Sequence, residues 1–180
     1  MENQPKRQSW RRWIAKTIIV CSVLGFTTHV GFTYFNSRYM IGVQSLTARC
    51  LPWDFFIIKK SPPKTIERGQ LVMLPLPQQA IDICPKVRRL QKRGFLLKMA
   101  IGLPGDHVTI KNDKLYINDR IWDHLWLLHK LHKPKGSFDR ELTVKEDEVF
   151  VLGTLRSSYD SRYWGPVKQT LVRGTAHVLF

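Results

Sequence analysis

FLLKMAIGLPGD, residues 95–106, sets a single lysine, Lys98, in an otherwise apolar run that stops at Gly102, Pro104 and Gly105. Large apolar residues closed by glycine and proline read as a buried strand ending in a turn. Side chains alternate along a strand, so Lys98 shares a face with Leu96 and Ala100 and its amine loses water. Keeping a lysine amine neutral at pH 7 costs about 4.6 kcal/mol, and stability alone gives no reason to accept that cost. Two readings stay open at this point: a lysine that snorkels to the strand edge, and a buried catalytic base.

Outward from this strand, short apolar runs alternate with turn signals. HVTIKNDKLYINDR reads as a hairpin, with Val108 and Ile110 facing Leu115 and Ile117 across a turn at Asn112-Asp113. Residues 55–58, followed by Lys59 and Lys60, and residues 70–76 read as strands, and residues 78–93 as a connection or insertion. Strand character returns at 148–152 and 176–180. Residues 121–140 are harder to read. Ile121, Leu125 and Leu128 recur at helical spacing, which fits either a loop covering the sheet or a short amphipathic helix on lipid headgroups. His124, His129 and His132 have no carboxylate or cysteine at a metal-ligand spacing, so no metal and no organic cofactor is expected. The expected fold class is mainly β, one antiparallel domain behind an N-terminal transmembrane helix.

That helix is read at residues 17–35, an uncharged run preceded by Lys6, Arg7, Arg11, Arg12 and Lys16. As a helix the run rises about 28 Å, close to the hydrocarbon thickness of a bilayer. Trp10, Trp13, Tyr34 and Phe35 bracket it as interfacial aromatics would, and no small-x-small cleavage site closes it. The expected organisation is therefore a basic cytoplasmic segment at 1–16, an uncleaved anchor at 17–35 and an exported domain at 36–180. The chain carries 29 Lys+Arg against 14 Asp+Glu, a net charge of +15 that suits an anionic lipid bilayer and does not itself exclude nucleic acid. Cys50 and Cys84 could close a loop in an oxidising compartment or remain two thiols.

Three pieces then line up: Ser45 shortly after the anchor, Lys98 in its apolar strand, and a late loop dense in small polar residues. A serine hydroxyl needs a base, and a buried neutral lysine can serve without a histidine. On these residues the chain resembles the signal peptidase I family of membrane-anchored serine proteases. Ser45 with Asp54-Phe55-Phe56-Ile57-Ile58 is similar to the nucleophile box and the strand after it, and Gly69-Gln70-Leu71-Val72 to the next strand. Lys98 to Asp106 resembles the general-base box, and Gly153, Arg156, Ser158 and Asp160-Ser161-Arg162-Tyr163-Trp164-Gly165 resemble the last box.

The resemblance implies Ser45 as nucleophile, Lys98 as general base, Ser158 as the hydroxyl that orients the amine, and Asp160 with Arg162 as a supporting ion pair. It also implies a bacterial inner (cytoplasmic) membrane protein with a periplasmic catalytic domain. The substrate would be a membrane-held precursor with small residues before the cleavage site. The chain departs from the family in four places. Ser45-Leu46-Thr47-Ala48 stands where Ser-Met-x-Pro is usual. Val43 stands where a hydroxyl residue often helps bind the oxyanion, leaving the Ser45 N–H with Gln44 or Thr47 as candidate donors. Met99 and Thr154 stand where an Arg and an Asp are common. Losing both partners of a possible ion pair together fits a diverged enzyme. It resembles the conjugative-transfer, TraF-like branch, which matures a pilin precursor and in some systems cyclises it. The alternatives are a housekeeping signal peptidase with broad substrates and a non-catalytic assembly component of a secretion apparatus. Direct DNA binding is the least favoured reading.

Overall fold

The computed structural model describes residues 5–44 and 49–179, in two units, Met1–Tyr39 and Met40–Phe180. The first unit is one helix, α1 (Pro5–Arg38). Its segment Trp10–Arg38, 29 residues, is long and apolar enough to cross a membrane and buries none of its apolar window. The threonines that dilute its hydropathy turn their hydroxyls inward. Thr17 donates to the Trp13 carbonyl at 3.1 Å, Thr28 to Leu24 at 2.9 Å and Thr33 to His29 at 2.9 Å. Each polar group is thus satisfied within the helix, as a lipid environment demands.

The second unit is built on two antiparallel sheets. The larger contains β1 (Tyr39–Val43), β2 (Phe55–Lys59), β3 (Leu71–Leu74), β4 (Leu96–Gly102), β9 (Glu148–Leu152), β10 (Val167–Lys168) and β11 (Gly174–Val178), in the order β1-β2-β11-β3-β4-β9-β10. The smaller contains β5 (His107–Lys111), β6 (Lys114–Ile117), β7 (Arg120–His124) and β8 (Arg140–Thr143), in the order β7-β6-β5-β8. Short helices α2 (Gln78–Ile83), α3 (Leu128–Leu131) and α4 (Ser161–Trp164) lie in connections between strands of the same sheet, with a 3-10 stretch over Pro85–Arg93. The mainly β fold expected from the sequence is therefore present.

The strand carrying Lys98 lies inside the larger sheet, between β3 and β9, with Val72 opposite Lys98 and Leu152 opposite Met99. Two ladders therefore fix the backbone of β4. The turn after it is held by one carboxylate. Gly105 takes φ +86, open to glycine, and Asp106 accepts from the Leu103 N–H at 2.6 Å, Asn118 Nδ2 at 2.8 Å and Arg68 Nη2 at 2.8 Å. Burial alone pushes the Asp106 carboxyl up, but the hydrogen bonds from Arg68, Leu103 and Asn118 outweigh it and hold the group below its usual range.

The β5–β6 hairpin forms as the alternation dictates. Val108, Ile110, Leu115 and Ile117 are all buried, each stabilising by about 1.5–3 kcal/mol, and Asn112 and Asp113 take the left-handed φ values of 51° and 60° that a two-residue hairpin turn requires. The segment 121–140 corrects the sequence reading. Its first part is the strand β7, set by a second left-handed pair at Asn118 and Asp119, and its helical part is the four residues of α3. Leu125, Leu127 and Phe138 do cover the sheet, packing with Ile110, Leu115 and Tyr163. Cys84 is a half-buried thiol outside any disulfide, so the cross-link to Cys50 is not made.

Candidate active site

Lys98 is buried to 1% exposure, and its Nζ lies 2.7 Å from Ser158 Oγ. The amine does not snorkel. Ser158 is itself fully buried, on the loop between β9 and α4, and its approach depends on Gly153. A β-carbon at Gly153 would collide with Ser158 Oγ and would stand 2.6 Å from the Cys50 carbonyl.

Asp160 and Arg162 form the frame of this loop, both at 0% exposure. Arg162 donates from Nε to Asp160 Oδ1 at 2.8 Å and from Nη2 to Asp160 Oδ2 at 2.7 Å, a bidentate pair. Asp160 also accepts from the Gly153 N–H at 3.0 Å and caps α4 through the Arg162 N–H at 3.2 Å. Arg162 Nη2 reaches the carbonyls of Gly153 and Ser158, at 3.3 and 3.4 Å. One guanidinium therefore ties both ends of the loop that presents Ser158. Tyr163 follows, its hydroxyl accepting from the Leu127 N–H at 2.9 Å; burial pushes its phenol up to about 12.

The sequence reading missed Asp123. Its Oδ2 receives Arg162 Nη1 at 2.5 Å and its Oδ1 receives Trp126 Nε1 at 3.1 Å. This carboxylate comes from β7, the strand read as ambiguous, so nothing in the sequence aligned it with Arg162. Arg68 and Asn118, which hold Asp106, were missed because their partner lies 38 and 12 residues away.

Ser45 and Thr47 lie outside the described residues. The chain on either side is fastened to the late loop or to itself. Leu155 donates its N–H to the Cys50 carbonyl at 3.1 Å, and Ser157 Oγ donates to the Arg49 carbonyl at 2.9 Å. Gln44 has its donors engaged. With its amide oriented to suit its surroundings it donates to the carbonyls of Leu51 and Trp53 at 2.9 and 2.8 Å, while its own N–H donates to Asp54 O at 3.0 Å. In that orientation both amide hydrogens and the backbone N–H of Gln44 have acceptors among the described residues. Val43 is exposed at the end of β1.

Met99 and Thr154 line one cleft of about 280 Å³ together with Ile101, Trp122, Asp123, Leu152 and Gly153, with Met99 on the face of β4 opposite Lys98. The two positions at which the chain departs from the familiar charged residues are thus neighbours in space. Chemically, the arrangement is a dry amine held by one hydroxyl inside a rigid loop frame, able when neutral to take a proton from a serine brought to it.

The fold and this site are those of an antiparallel β hydrolase carried behind an apolar helix. A family model described as "Signal peptidase, peptidase S26" matches residues 10–180. The chain is 36% identical to signal peptidase I S of Bacillus subtilis, over 99% of this chain and 93% of that one. It is 32% identical to signal peptidase I of Bacillus caldolyticus, over 71% of this chain and 79% of that one. A solved signal peptidase I from Enterococcus faecalis aligns with 62% of this chain and 97% of its own at 30% identity, with a TM-score of 0.37. The chain belongs to the signal peptidase (peptidase S26) family and is a serine endopeptidase of the leader-cleaving, signal peptidase I type. Its α1 is compatible with anchoring that activity in a membrane.

Proposed function

We propose that the protein is a single-pass membrane endopeptidase that uses Ser45 as nucleophile and Lys98 as general base, with Ser158 orienting the amine. The observation that carries this reading is the 2.7 Å contact between a fully buried lysine amine and a buried serine hydroxyl. Ser45 Oγ attacks the scissile carbonyl carbon as Lys98 Nζ takes its proton. Collapse of the tetrahedral intermediate releases the new amine, which receives that proton, and leaves the leader-side acyl group on Ser45. The Ser45 N–H serves as an oxyanion donor, with Gln44 or Thr47 as the candidate for a second. Water then resolves the acyl-enzyme, Lys98 again accepting the proton; where the acylated fragment's own free amine reaches the ester, its attack releases Ser45 Oγ and closes that fragment into a ring.

The substrate proposed is the leader of an exported precursor, the propilin of a conjugative transfer system, at the periplasmic face of a bacterial inner membrane. The paired departures at Met99 and Thr154 support a dedicated substrate, and the +15 charge supports an anionic bilayer as the surface on which the enzyme works. A broad housekeeping specificity is the second reading, favoured by relatives named simply signal peptidase I. Purified full-length enzyme and its Ser45→Ala variant, given a panel of exported precursors and propilins, separate the two. Cleavage of propilin alone, lost in Ser45→Ala, is expected. Cleavage across the panel would replace the propilin reading with the broad one, and processing that survives Ser45→Ala would reject the nucleophile.

A further inference from the structure

The loop between β9 and α4 carries Ser158 to Lys98, and the Asp160–Arg162 ion pair that stiffens it is made between near neighbours in the chain. A pair so local can shift as one body. Fixing it against the rest of the domain takes a contact from another element, and Arg162 Nη1 makes one. It donates to Asp123 Oδ2 at 2.5 Å and to the His124 carbonyl at 3.0 Å, both on β7 of the smaller sheet. The other oxygen of that carboxylate, Oδ1, accepts from the His124 N–H at 2.7 Å and from Trp126 Nε1 at 3.1 Å. The Arg156 guanidinium in turn lies over the Trp126 ring, 4.3 Å from its centroid. Asp123 therefore holds the loop on both sides of Ser158, through Arg162 after it and through Trp126 and Arg156 before it.

The backbone is shaped to put the carboxylate there. Between β6 and β7, Tyr116 pairs with Ile121 and Leu115 with Asp123, so Trp122 is the extra residue of a bulge. In an unbroken strand Asp123 would share the exposed face of Ile121; the extra residue turns it to the face of the fully buried Leu115. The Asp123 side chain stays 26% exposed, against 0% for Asp160. An ion pair open to water on one side adds little to stability, so the geometry it imposes is its larger effect. From Asp123 the line of contacts runs through Arg162 Nη2 to the Ser158 carbonyl at 3.4 Å, and Ser158 Oγ stands 2.7 Å from Lys98 Nζ. We infer that Asp123 is a positioning residue for the reaction, holding the loop so that Ser158 Oγ meets the Lys98 amine. The inference rests on the proteolytic reading above and gives the smaller sheet a part in it.

The test compares full-length Asp123→Ala with the wild type in detergent micelles. On a processed precursor, kcat is expected to fall about 10- to 100-fold with KM within about twofold, since a misaligned base slows the chemical step and leaves binding alone. A purely structural role predicts a lower folded fraction with kcat per folded molecule unchanged, and that result overturns the inference, as does a loss carried by KM. The second readout needs no cleavage. It is the NMR signal of the Lys98 ε-carbon in protein made with isotope-labelled lysine, assigned by its absence in Lys98→Met. The signal should move in Asp123→Ala toward its position in Ser158→Ala, and Asp123→Ala should move it no further once Ser158 is alanine. A signal that stays at the wild-type position overturns the inference. If Asp123→Ala does not fold, Asp123→Asn, which keeps the shape and one acceptor oxygen, should show both changes at smaller size. The two levels separate cleanly. A Lys98 signal that responds in a chain that processes no precursor keeps the link to Asp123 and rejects the protease, whereas processing with kcat and signal indifferent to Asp123 does the reverse.

Discussion

Among the described residues, Lys98 and Arg162 are the two cations taken wholly out of water, at 1% and 0% exposure, and they are treated in opposite ways. Arg162 is paired twice, to Asp160 and Asp123, and every nitrogen of its fork has an acceptor. Lys98 has a hydroxyl partner, and among the described residues no carboxylate forms an ion pair with it. A buried cation that is fully compensated is part of the frame; a buried amine that meets a neutral hydroxyl and, among the described residues, no carboxylate is a group held ready. The frame exists for the amine's sake, since Arg162 holds the loop that carries Ser158 to Lys98.

The contrast can be broken from the side of the frame. Arg162→Met leaves two carboxylates facing an apolar side chain, one of them fully buried, and should cost about 3–5 kcal/mol in chemical denaturation, with precursor processing lost in step. A loss below 1 kcal/mol would mean that Arg162 is not the frame. A smaller effect is expected at Asp106, whose carboxyl is depressed by Arg68, Leu103 and Asn118 against the opposing pull of burial. A carboxyl depressed in the folded state stabilises the fold above its unfolded value, and the contribution disappears as pH falls through the folded one. Stability should therefore fall as the pH is taken from 5 into the strongly acid range, and Asp106→Asn should remove that part of the slope. An unchanged slope in Asp106→Asn would detach the turn after β4 from this carboxylate.

The parts legible in the sequence were those whose signals are local. The strand around Lys98 announces itself by an apolar run stopped by Gly-Leu-Pro-Gly, and the β5–β6 hairpin by alternation around Asn112-Asp113. The same dipeptide occurs again at Asn118-Asp119 and makes the same left-handed turn, but there the helical spacing of Ile121, Leu125 and Leu128 masked it. Strand β7 was lost with it, and with β7 went Asp123, the second partner of Arg162. The pairing of Lys98 with Ser158 spans 60 residues and was reached only through resemblance to a family. No periodicity could have supplied it. Likewise, Met99 and Thr154 could be read as departures from a pattern, but that they line one cleft with Leu152 and Trp122 is set by the fold.

The central claim, that Lys98 is kept for chemistry and not for the fold, is tested most directly by Lys98→Met assayed for stability and precursor processing together. Methionine conserves the volume and removes the amine, at the cost of one unpartnered Ser158 hydroxyl. The account predicts a folded protein within about 2 kcal/mol of the wild type and no detectable processing. A variant that still cleaves precursor, or one that unfolds as Arg162→Met does, would contradict it.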